Sequence, residues 1–223
     1  MQRLFSGEVY DIVPKTDGLI FSYCKGAIDG DVVVGYKMIS TQNGTITDVA
    51  KNIYLLAKFG SDYNIAVKLC DNYVTSKALL MPSGRLFVCT AGGIANFFEG
   101  DGSVSWSGEL KYRDRAPSDI ALYKNAVWGC FAQNNVLIRF NPTTMREELR
   151  IGGRQSSPFA GPRDIFINNN IATVSNTESK SLARVNLDSY TVEDYRSFEE
   201  TVYSYLAVGG FEFVLLESGL YVL

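Results

Sequence analysis

Short apolar runs separated by turn residues recur along the whole chain. Residues 117–142, PSDIALYKNAVWGCFAQNNVLIRFNP, contain three such runs with polar turns between them. Alternation of apolar and polar residues over four to eight positions is typical of half-buried β-strands. None of the runs has the helical period of apolar positions, so the pattern predicts an all-β fold.

The same order of residue types is repeated at residues 161–188. Both segments begin with Pro, a spacer, Asp and Ile, and both end with Arg, an apolar residue and Asn. We take the residue after the aspartate as an anchor and search for the same order elsewhere, because internal repeats define whole architectures. Six units then cover the chain, with anchors at Ile12, Val49, Leu79, Ile120, Ile165 and Leu206.

Each unit has room for four short strands. Four-stranded units that repeat about every 40 residues are typical of a β-propeller. The last unit has only three strands, and residues 3–7 are expected to supply the fourth. We therefore predict a single domain, residues 1–223, that forms a six-bladed β-propeller with short four-stranded blades, closed by strands from both termini. Five blades are the alternative.

The repeated pattern Pro-x-Asp-Ile, a turn, and then an apolar residue, Arg, an apolar residue and Asn resembles the repeats of NHL and YVTN-type propellers. Those repeats usually carry Asp where this chain has Asn141 and Asn186. The resemblance is best in the units at Ile120 and Ile165. It implies a propeller fold, and that superfamily includes lactonase-like enzymes as well as many binding scaffolds.

Composition excludes several classes of chemistry. Histidine is absent from the 223 residues, which removes catalytic triads, histidine general bases and imidazole metal sites. The net charge of -3 and the lack of a Lys/Arg cluster argue against nucleic-acid binding. The first residues show no basic start followed by an apolar region, so we expect no secretion by a signal peptide, and no apolar run is long enough to span a membrane. We expect a cytoplasmic protein that contacts neither nucleic acid nor membrane.

The cysteines are Cys24, Cys70, Cys89 and Cys130, and none belongs to a C-x-x-C pair. Most fall at equivalent places in the second strands, where Ala57 and Ser175 stand in other units. We expect reduced thiols that act as small apolar fillers on different blades, too far apart for a disulfide.

An aspartate precedes the anchor in four units, as Asp11, Asp48, Asp119 and Asp164. The first strand of each blade lines the channel of a propeller, so these carboxylates are expected at one level of a ring. They could bind a hard cation such as Ca²⁺. Alternatively, each could accept backbone N–H bonds in the connection between blades, and this structural role is the one we favour.

Residues 96–115 form the most unusual segment, because aromatic residues lie among glycines and mixed charges. The segment contains a plausible third and fourth strand. It also offers an aromatic rim of the kind that dominates protein interfaces. We predict partner contacts at Phe97, Phe98, Trp106, Tyr112 and Arg113.

These observations favour a non-catalytic propeller that acts as a scaffold for protein–protein interaction. It could be a structural component of a larger assembly, such as a phage virion or tail. No catalytic residue and no obligatory cofactor is predicted. The alternative is a metal-dependent, lactonase-like hydrolase that uses the channel. The resemblance would then require a Glu on a first strand, and the closest candidate, Glu8, precedes the strand.

Overall fold

The computed structural model describes residues 1–60, 77–153 and 157–223. Its first strands are β1 (Gln2–Ser6), β2 (Val9–Lys15), β3 (Gly18–Ile28), β4 (Asp31–Ser40) and β5 (Ile46–Asp48), followed by helix α1 (Lys51–Phe59). After residue 76 come β6 (Lys77–Leu80), β7 (Leu86–Cys89), β8 (Ile94–Phe98), β9 (Val104–Glu109), β10 (Asp119–Tyr123), β11 (Ala126–Phe131), β12 (Val136–Phe140) and β13 (Glu147–Gly152). The last strands are β14 (Pro162–Asn168), β15 (Ile171–Asn176), β16 (Ser181–Asn186), β17 (Val192–Ser197), β18 (Val202–Val208), β19 (Phe211–Leu216) and β20 (Gly219–Val222).

These strands form antiparallel four-stranded sheets, which are the blades of a propeller. Blades 1 to 4 are β2–β5, β6–β9, β10–β13 and β14–β17, in chain order. Blade 5 consists of β18, β19, β20 and the N-terminal strand β1, which pairs with β20. The prediction that strands from both ends of the chain close the ring is confirmed.

The inner strands surround the axis, and at four of the five junctions an inner strand contacts that of the neighbouring blade. These contacts run from β2 through β18, β14 and β10 to β6. Between blades 1 and 2 the helix α1 contacts both β2 and β6. Hydrophobic clusters fill each of these five junctions, and the helix contributes to the one between blades 1 and 2.

The described residues contain five blades, which was the alternative, and the prediction of six is wrong. The unit anchored at Val49 does not form a blade, because its first part is the helix α1. The remainder of that unit lies among residues 61–76, outside the described residues.

The helix forms because one of its faces is apolar and fits the gap between two blades. Tyr54, Leu55 and Phe59 are buried there among side chains of both neighbouring blades. Burial of each such side chain contributes about 1.5–3 kcal/mol. The helix ends at Gly60, whose φ of 74° lies in the left-handed region that glycine tolerates.

The repeated asparagines have a local structural role. The side-chain oxygen of Asn141 accepts the backbone N–H groups of Thr143 and Thr144, at 2.9 and 3.0 Å. Asn186 binds the N–H groups of Asp188 and Ser189 in the same way. Both are Asx turns, which close the last hairpin of blades 3 and 4. The repeated asparagine therefore forms the same type of turn in both blades.

The second strands form the tightly packed part of each blade, as expected. All six residues of β11 are buried, including Cys130, and Cys89 is buried in β7. The described cysteines, Cys24, Cys89 and Cys130, form no disulfide. Cys70 lies outside the described residues.

Two of the predicted equivalences in the second strands are wrong. In blade 1 the residue equivalent to Cys130 is Ser22, which pairs with Asp11, and Cys24 lies two residues further on. Ala57 is part of α1 and does not belong to a second strand.

Candidate functional site

One position on each inner strand faces the axis at the same level. Pairing with the second strand defines it: Asp11 opposes Ser22, Asp119 opposes Cys130, and Asp164 opposes Ser175. In blade 2, Lys77 opposes Cys89, and in blade 5 Ser204 opposes Leu215. A lysine therefore occupies the place that an aspartate holds in three other blades.

Two of the aspartates bind the following blade. Asp119 Oδ2 accepts the backbone N–H of Ile165 at 3.0 Å, and Asp164 Oδ2 accepts that of Tyr205 at 3.1 Å. Each bond joins an inner strand to the next inner strand around the ring.

Asp11 has a helix as its neighbour and binds that instead. Its Oδ2 accepts a hydrogen bond from the Tyr54 hydroxyl at 2.7 Å and another from Lys58 Nζ at 2.7 Å. The Lys58 side chain is only 6% exposed. Because Tyr54 and Lys58 are four residues apart, they share one face of α1. The helix thus presents a cation and a hydroxyl to the axis.

The ammonium group of Lys77 lies between two of the carboxyl groups, those of Asp11 and Asp119. Its Nζ lies 3.3 Å from Asp119 Oδ1 and 3.8 Å from Asp11 Oδ1. We call Asp11, Lys58, Lys77, Asp119 and Asp164 the axial cluster. The cluster contains three carboxyl groups and two ammonium groups, contributed by α1 and the inner strands of four blades.

Burial and charge shift the ionisation of this cluster. Burial and the nearby Asp119 raise the pKa of Asp164 to about 8. Burial would also raise the pKa of Asp11, but the ammonium groups of Lys58 and Lys77 outweigh it and lower that pKa. Burial would lower the pKa of Lys77, but Asp119 and Asp11 outweigh it and raise that pKa. Burial also lowers the pKa of Lys58, and the adjacent Asp11 offsets this only in part.

Asp48 does not belong to the axial cluster, although the sequence grouped it with the other aspartates. It lies on β5, the outer strand of blade 1, and its side chain is 80% exposed. There it accepts a hydrogen bond from Lys37 Nζ at 2.8 Å. The expected place on a first strand is wrong because the unit at Val49 is a helix.

The cation site proposed for Asp11, Asp48, Asp119 and Asp164 stays a prediction. Within the part of the chain that the structure describes, no group of three or more acidic or cysteine side chains is arranged to hold a metal ion. In the axial cluster Asp11 and Asp119 already have ammonium groups beside them. The hydrogen bonds of Asp119 and Asp164 agree with the structural role, with one difference: they join the aspartate to the following inner strand rather than to a connecting segment.

A cavity of about 840 Å³ opens on the face where the inner strands begin. We call it the mouth cavity, and it is lined at its floor by Asp11, Lys77 and Asp164. A narrower cavity of about 160 Å³ continues along the channel on the other side of these residues. The axial cluster therefore separates a wide mouth from a narrow passage.

The predicted partner residues separate into core and surface. Phe97 and Phe98 are each 1% exposed and pack in the clusters on either side of blade 2. Trp106 is half-buried and packs edge-on against Phe97, with ring centres 5.9 Å apart. Tyr112 is also half-buried, and its hydroxyl accepts a hydrogen bond from Arg150 at 2.7 Å. Arg113 is exposed. Only the last three could contribute side chains to an interface, and that role stays a prediction.

Sequence reasoning missed Tyr54, Lys58 and Lys77. The first two fall in a unit that the sequence assigns to strands, where residues four apart share a face but lie about 13 Å from each other, too far for two side chains to meet at one carboxylate. Lys77 was missed because the sequence places the anchor of its unit one residue too late, at Leu79. In the structure the residue equivalent to Ile165 is Ala78, since Ala78 opposes Val88 as Ile165 opposes Val174. The residue before the anchor is then Lys77. The cysteines of the second strands, Cys89 and Cys130, could have given the correct alignment. If they are taken as equivalent, and the hairpin of blade 2 is one residue longer, Lys77 falls at the position of the aspartates.

None of the helices in the described ranges is long and apolar enough to cross a membrane. No protein-family model matches the sequence. A comparison with curated proteins finds no significant relative. Sequence similarity therefore assigns no family.

Solved structures resemble the fold at low sequence identity. Streptogramin B lyase superposes with a TM-score of 0.53 at 15% identity, over 95% of this chain and 63% of that chain. Virginiamycin B lyase from Staphylococcus aureus gives 0.54 at 14% identity, over 100% and 86% of the two chains. A catalytically inactive form of that lyase with Quinupristin gives 0.56 at 13% identity, over 97% and 84%. Identities this low establish the propeller fold alone, consistent with the resemblance to NHL and YVTN-type repeats.

Proposed function

We propose that this protein is a non-catalytic β-propeller that binds a protein partner through the face on which the mouth cavity opens. The observation that supports this most is the composition of the axial cluster. A metal-dependent hydrolase would need its channel carboxylates free to bind a metal and substrate. Here Asp11 and Asp119 are paired with Lys58 and Lys77, so they hold α1 and the blades together.

The mouth cavity supports the binding part of the proposal. Small-molecule and side-chain pockets typically have volumes of about 300–1,000 Å³, apolar walls and a few polar groups. The mouth cavity fits this description, with valine and leucine side chains on its walls and polar residues at its floor and rim. Membership of a phage particle or another assembly stays a prediction of the sequence.

The alternative function, a metal-dependent hydrolase, requires a metal ion in the channel. A lactonase-like hydrolase would bind Ca²⁺ through oxygen ligands on the axis. Calorimetric titration of Ca²⁺ into chelator-treated protein is expected to give no heat of binding. Micromolar binding that Asp119→Asn abolishes and Glu193→Gln, on the exposed face of β17, leaves intact would overturn the non-catalytic proposal.

Site-specific crosslinking tests the binding face directly. A photoreactive amino acid at Glu217, on the rim of the mouth cavity, is compared with the same amino acid at Glu193. In extracts of the source organism we expect a discrete protein adduct from position 217 and none from position 193. Equal labelling from both positions, or none from either, would contradict the proposal.

A further inference from the structure

The mouth cavity carries an excess of negative charge. Its lining includes four carboxyl groups, those of Glu8, Asp11, Asp164 and Glu217. The cationic groups in the lining are Lys77 and Arg163. Asp11 and Lys77 are both engaged in ion pairs in the floor, so the groups that act on an arriving molecule are Glu8, Glu217, Arg163 and, when it is ionised, Asp164. An arriving group would therefore meet a potential that favours cations.

Asp164 is the carboxyl group of the axial cluster without an ion pair. Asp11 and Asp119 lie within 4.0 Å of ammonium groups, whereas no lysine or arginine of the described residues forms a salt bridge with Asp164. Its Oδ2 accepts the N–H of Tyr205, and Ser204 also bonds to the carboxyl group. The side chain borders both the mouth cavity and the narrow passage.

An ionised carboxylate at this place costs free energy unless a cation joins it. The raised pKa of Asp164, about 8, has the same origin in burial and in the proximity of Asp119. The titratable and charged groups around Asp164 are Asp119, Lys77, Asp11, Lys58 and Cys130 in the channel, and Glu8, Arg163 and Glu217 in the mouth cavity. None of the cations among them is within pairing distance, so a ligand could supply the missing positive charge.

The walls and rim add a preference for an apolar stem. Val9, Val34 and Leu215 line the sides of the cavity, between the charged rim and the charged floor. At the rim, the guanidinium of Arg163 lies 4.8 Å from the centre of the Tyr203 ring. This contact is a cation–π interaction, in which the Arg163 guanidinium packs on the face of the Tyr203 ring.

We propose that the mouth cavity binds an organic cation, an ammonium or guanidinium group on an aliphatic stem, with the Asp164 carboxylate as its counter-ion. The proposal rests on the proposed function, because we assign this cation to a lysine or arginine side chain of the protein partner. The stem contacts the apolar walls, and the charged group displaces the proton from Asp164. Charge-assisted hydrogen bonds of this kind are stronger than neutral ones.

The probes are acetylated and amidated pentapeptides of four glycines around a central lysine, arginine or norleucine, together with n-butylamine. Binding is measured from amide chemical shifts in NMR titrations of the whole chain at pH 8.5. The lysine and arginine peptides are expected to bind at least about ten-fold more tightly than the norleucine peptide, which has the same stem without the charge.

Asp164→Asn is expected to remove most of this preference, because it keeps the shape of the side chain and loses the charge. Glu193→Gln is the matched control, since it removes one carboxylate far from the cavity, and it should bind as wild type does. In wild type, affinity for the lysine peptide should rise about eight-fold from pH 7.0 to 8.5, in proportion to the ionised fraction of Asp164. That rise should be absent in Asp164→Asn.

Each contrary result has a distinct meaning. Equal affinity for lysine and norleucine peptides would overturn the cation assignment and leave binding at this face intact. Binding of no probe, or binding without the pH dependence in wild type, would also overturn it, and neither result requires the variant to fold. Tighter binding of n-butylamine than of the lysine peptide would overturn the assignment to a partner side chain. Failure of the crosslinking at position 217 would contradict the proposed function itself.

Discussion

Lys77 is the residue on which the electrostatic balance of the axis depends. It occupies a position where three other inner strands carry aspartate, and its Nζ lies between Asp11 and Asp119. Several carboxylates alone at this level would repel one another in a medium that screens charge poorly. A lysine at one position of the repeat offsets part of that repulsion, and burial and the remaining repulsion still raise the pKa of Asp164.

Lys77→Met should therefore destabilise the fold strongly. Methionine matches the length of the lysine stem but leaves two buried carboxylates without their shared cation. Loss of one partner from a buried ion pair typically costs about 3–5 kcal/mol, because the other charge stays buried. Urea unfolding at pH 7 measures the change.

The control for this substitution is Lys124→Met, which removes an ammonium group in an exposed pair with Asp188. Its unfolding midpoint should stay close to that of wild type, because exposed pairs contribute little. If Lys77→Met and Lys124→Met unfold at the same urea concentration, the role assigned to Lys77 is wrong.

Asp164 should make the folded state less stable as pH rises. Its pKa is about 8 in the folded protein against an ordinary value of 3.8. Between these values the folded state holds a proton that the unfolded state has released, so the free energy of unfolding falls with increasing pH. From pH 6 to pH 8 this single group should cost about 2 kcal/mol.

Asp164→Asn should remove that slope, because an amide does not titrate and resembles the protonated acid. Unfolding by urea at pH 6, 7 and 8 measures the slope in wild type, in Asp164→Asn and in the control Glu193→Gln. The control should keep the wild-type slope. A slope that persists in Asp164→Asn would mean that another group holds the proton.

At the level of secondary-structure elements, the sequence predicts blades well where the turns are regular. The units at Ile120 and Ile165 carry the Asx turns of Asn141 and Asn186, and both form complete blades. Their polar and apolar residues alternate because one set packs between blades and the other faces solvent. Local turn chemistry and strand period point to the same structure there.

The prediction of a blade for the unit at Val49 is wrong, because residues 51–59 form a helix. No glycine or proline interrupts residues 51–59, and the buried side chains Tyr54, Leu55 and Phe59 lie on one face of a helix. The ion pair of Lys58 with Asp11 joins residues 47 positions apart. No local pattern encodes such a pairing, so the site could be predicted only in part.

Phe59→Ala tests whether α1 is an integral part of the ring. The side chain is 3% exposed and packs between blades 1 and 2. Its truncation should cost about 3–5 kcal/mol, as for other buried phenylalanines. Leu56→Ala is the matched control on the same helix, because Leu56 is 47% exposed. Similar, small losses in both variants, measured by thermal unfolding, would mean that the helix can detach while the blades stay folded.

The whole molecule is a ring whose closure depends on the pairing of β1 with β20. Phe5 of β1 packs against Phe21 and Tyr23 of blade 1, with ring centres 4.9 and 5.0 Å away. The N-terminal strand therefore completes blade 5 and also covers the junction with blade 1. Without it, β20 would present an unpaired edge, which in sheets promotes aggregation.

Gly219→Ala should open this closure. Gly219 has a φ of 140°, and a Cβ there would lie 2.1 Å from the carbonyl oxygen of Phe5. A methyl group at this distance forces β1 away from β20, in addition to the strain of a positive φ in a residue with a side chain. The expected result is loss of amide hydrogen-exchange protection along β1, together with a lower melting temperature.

Gly210→Ala separates the clash from the backbone strain. Gly210 also has a positive φ, 80°, but a Cβ there would meet no atom within 4 Å. This control should lose about 1–2 kcal/mol from strain alone and should keep the protection of β1. If both variants retain protected β1 amides, the first strand is not held by its pairing at Gly219. If both lose it, the ring opens whenever blade 5 is weakened, and closure is then a property of the whole blade rather than of one strand pair.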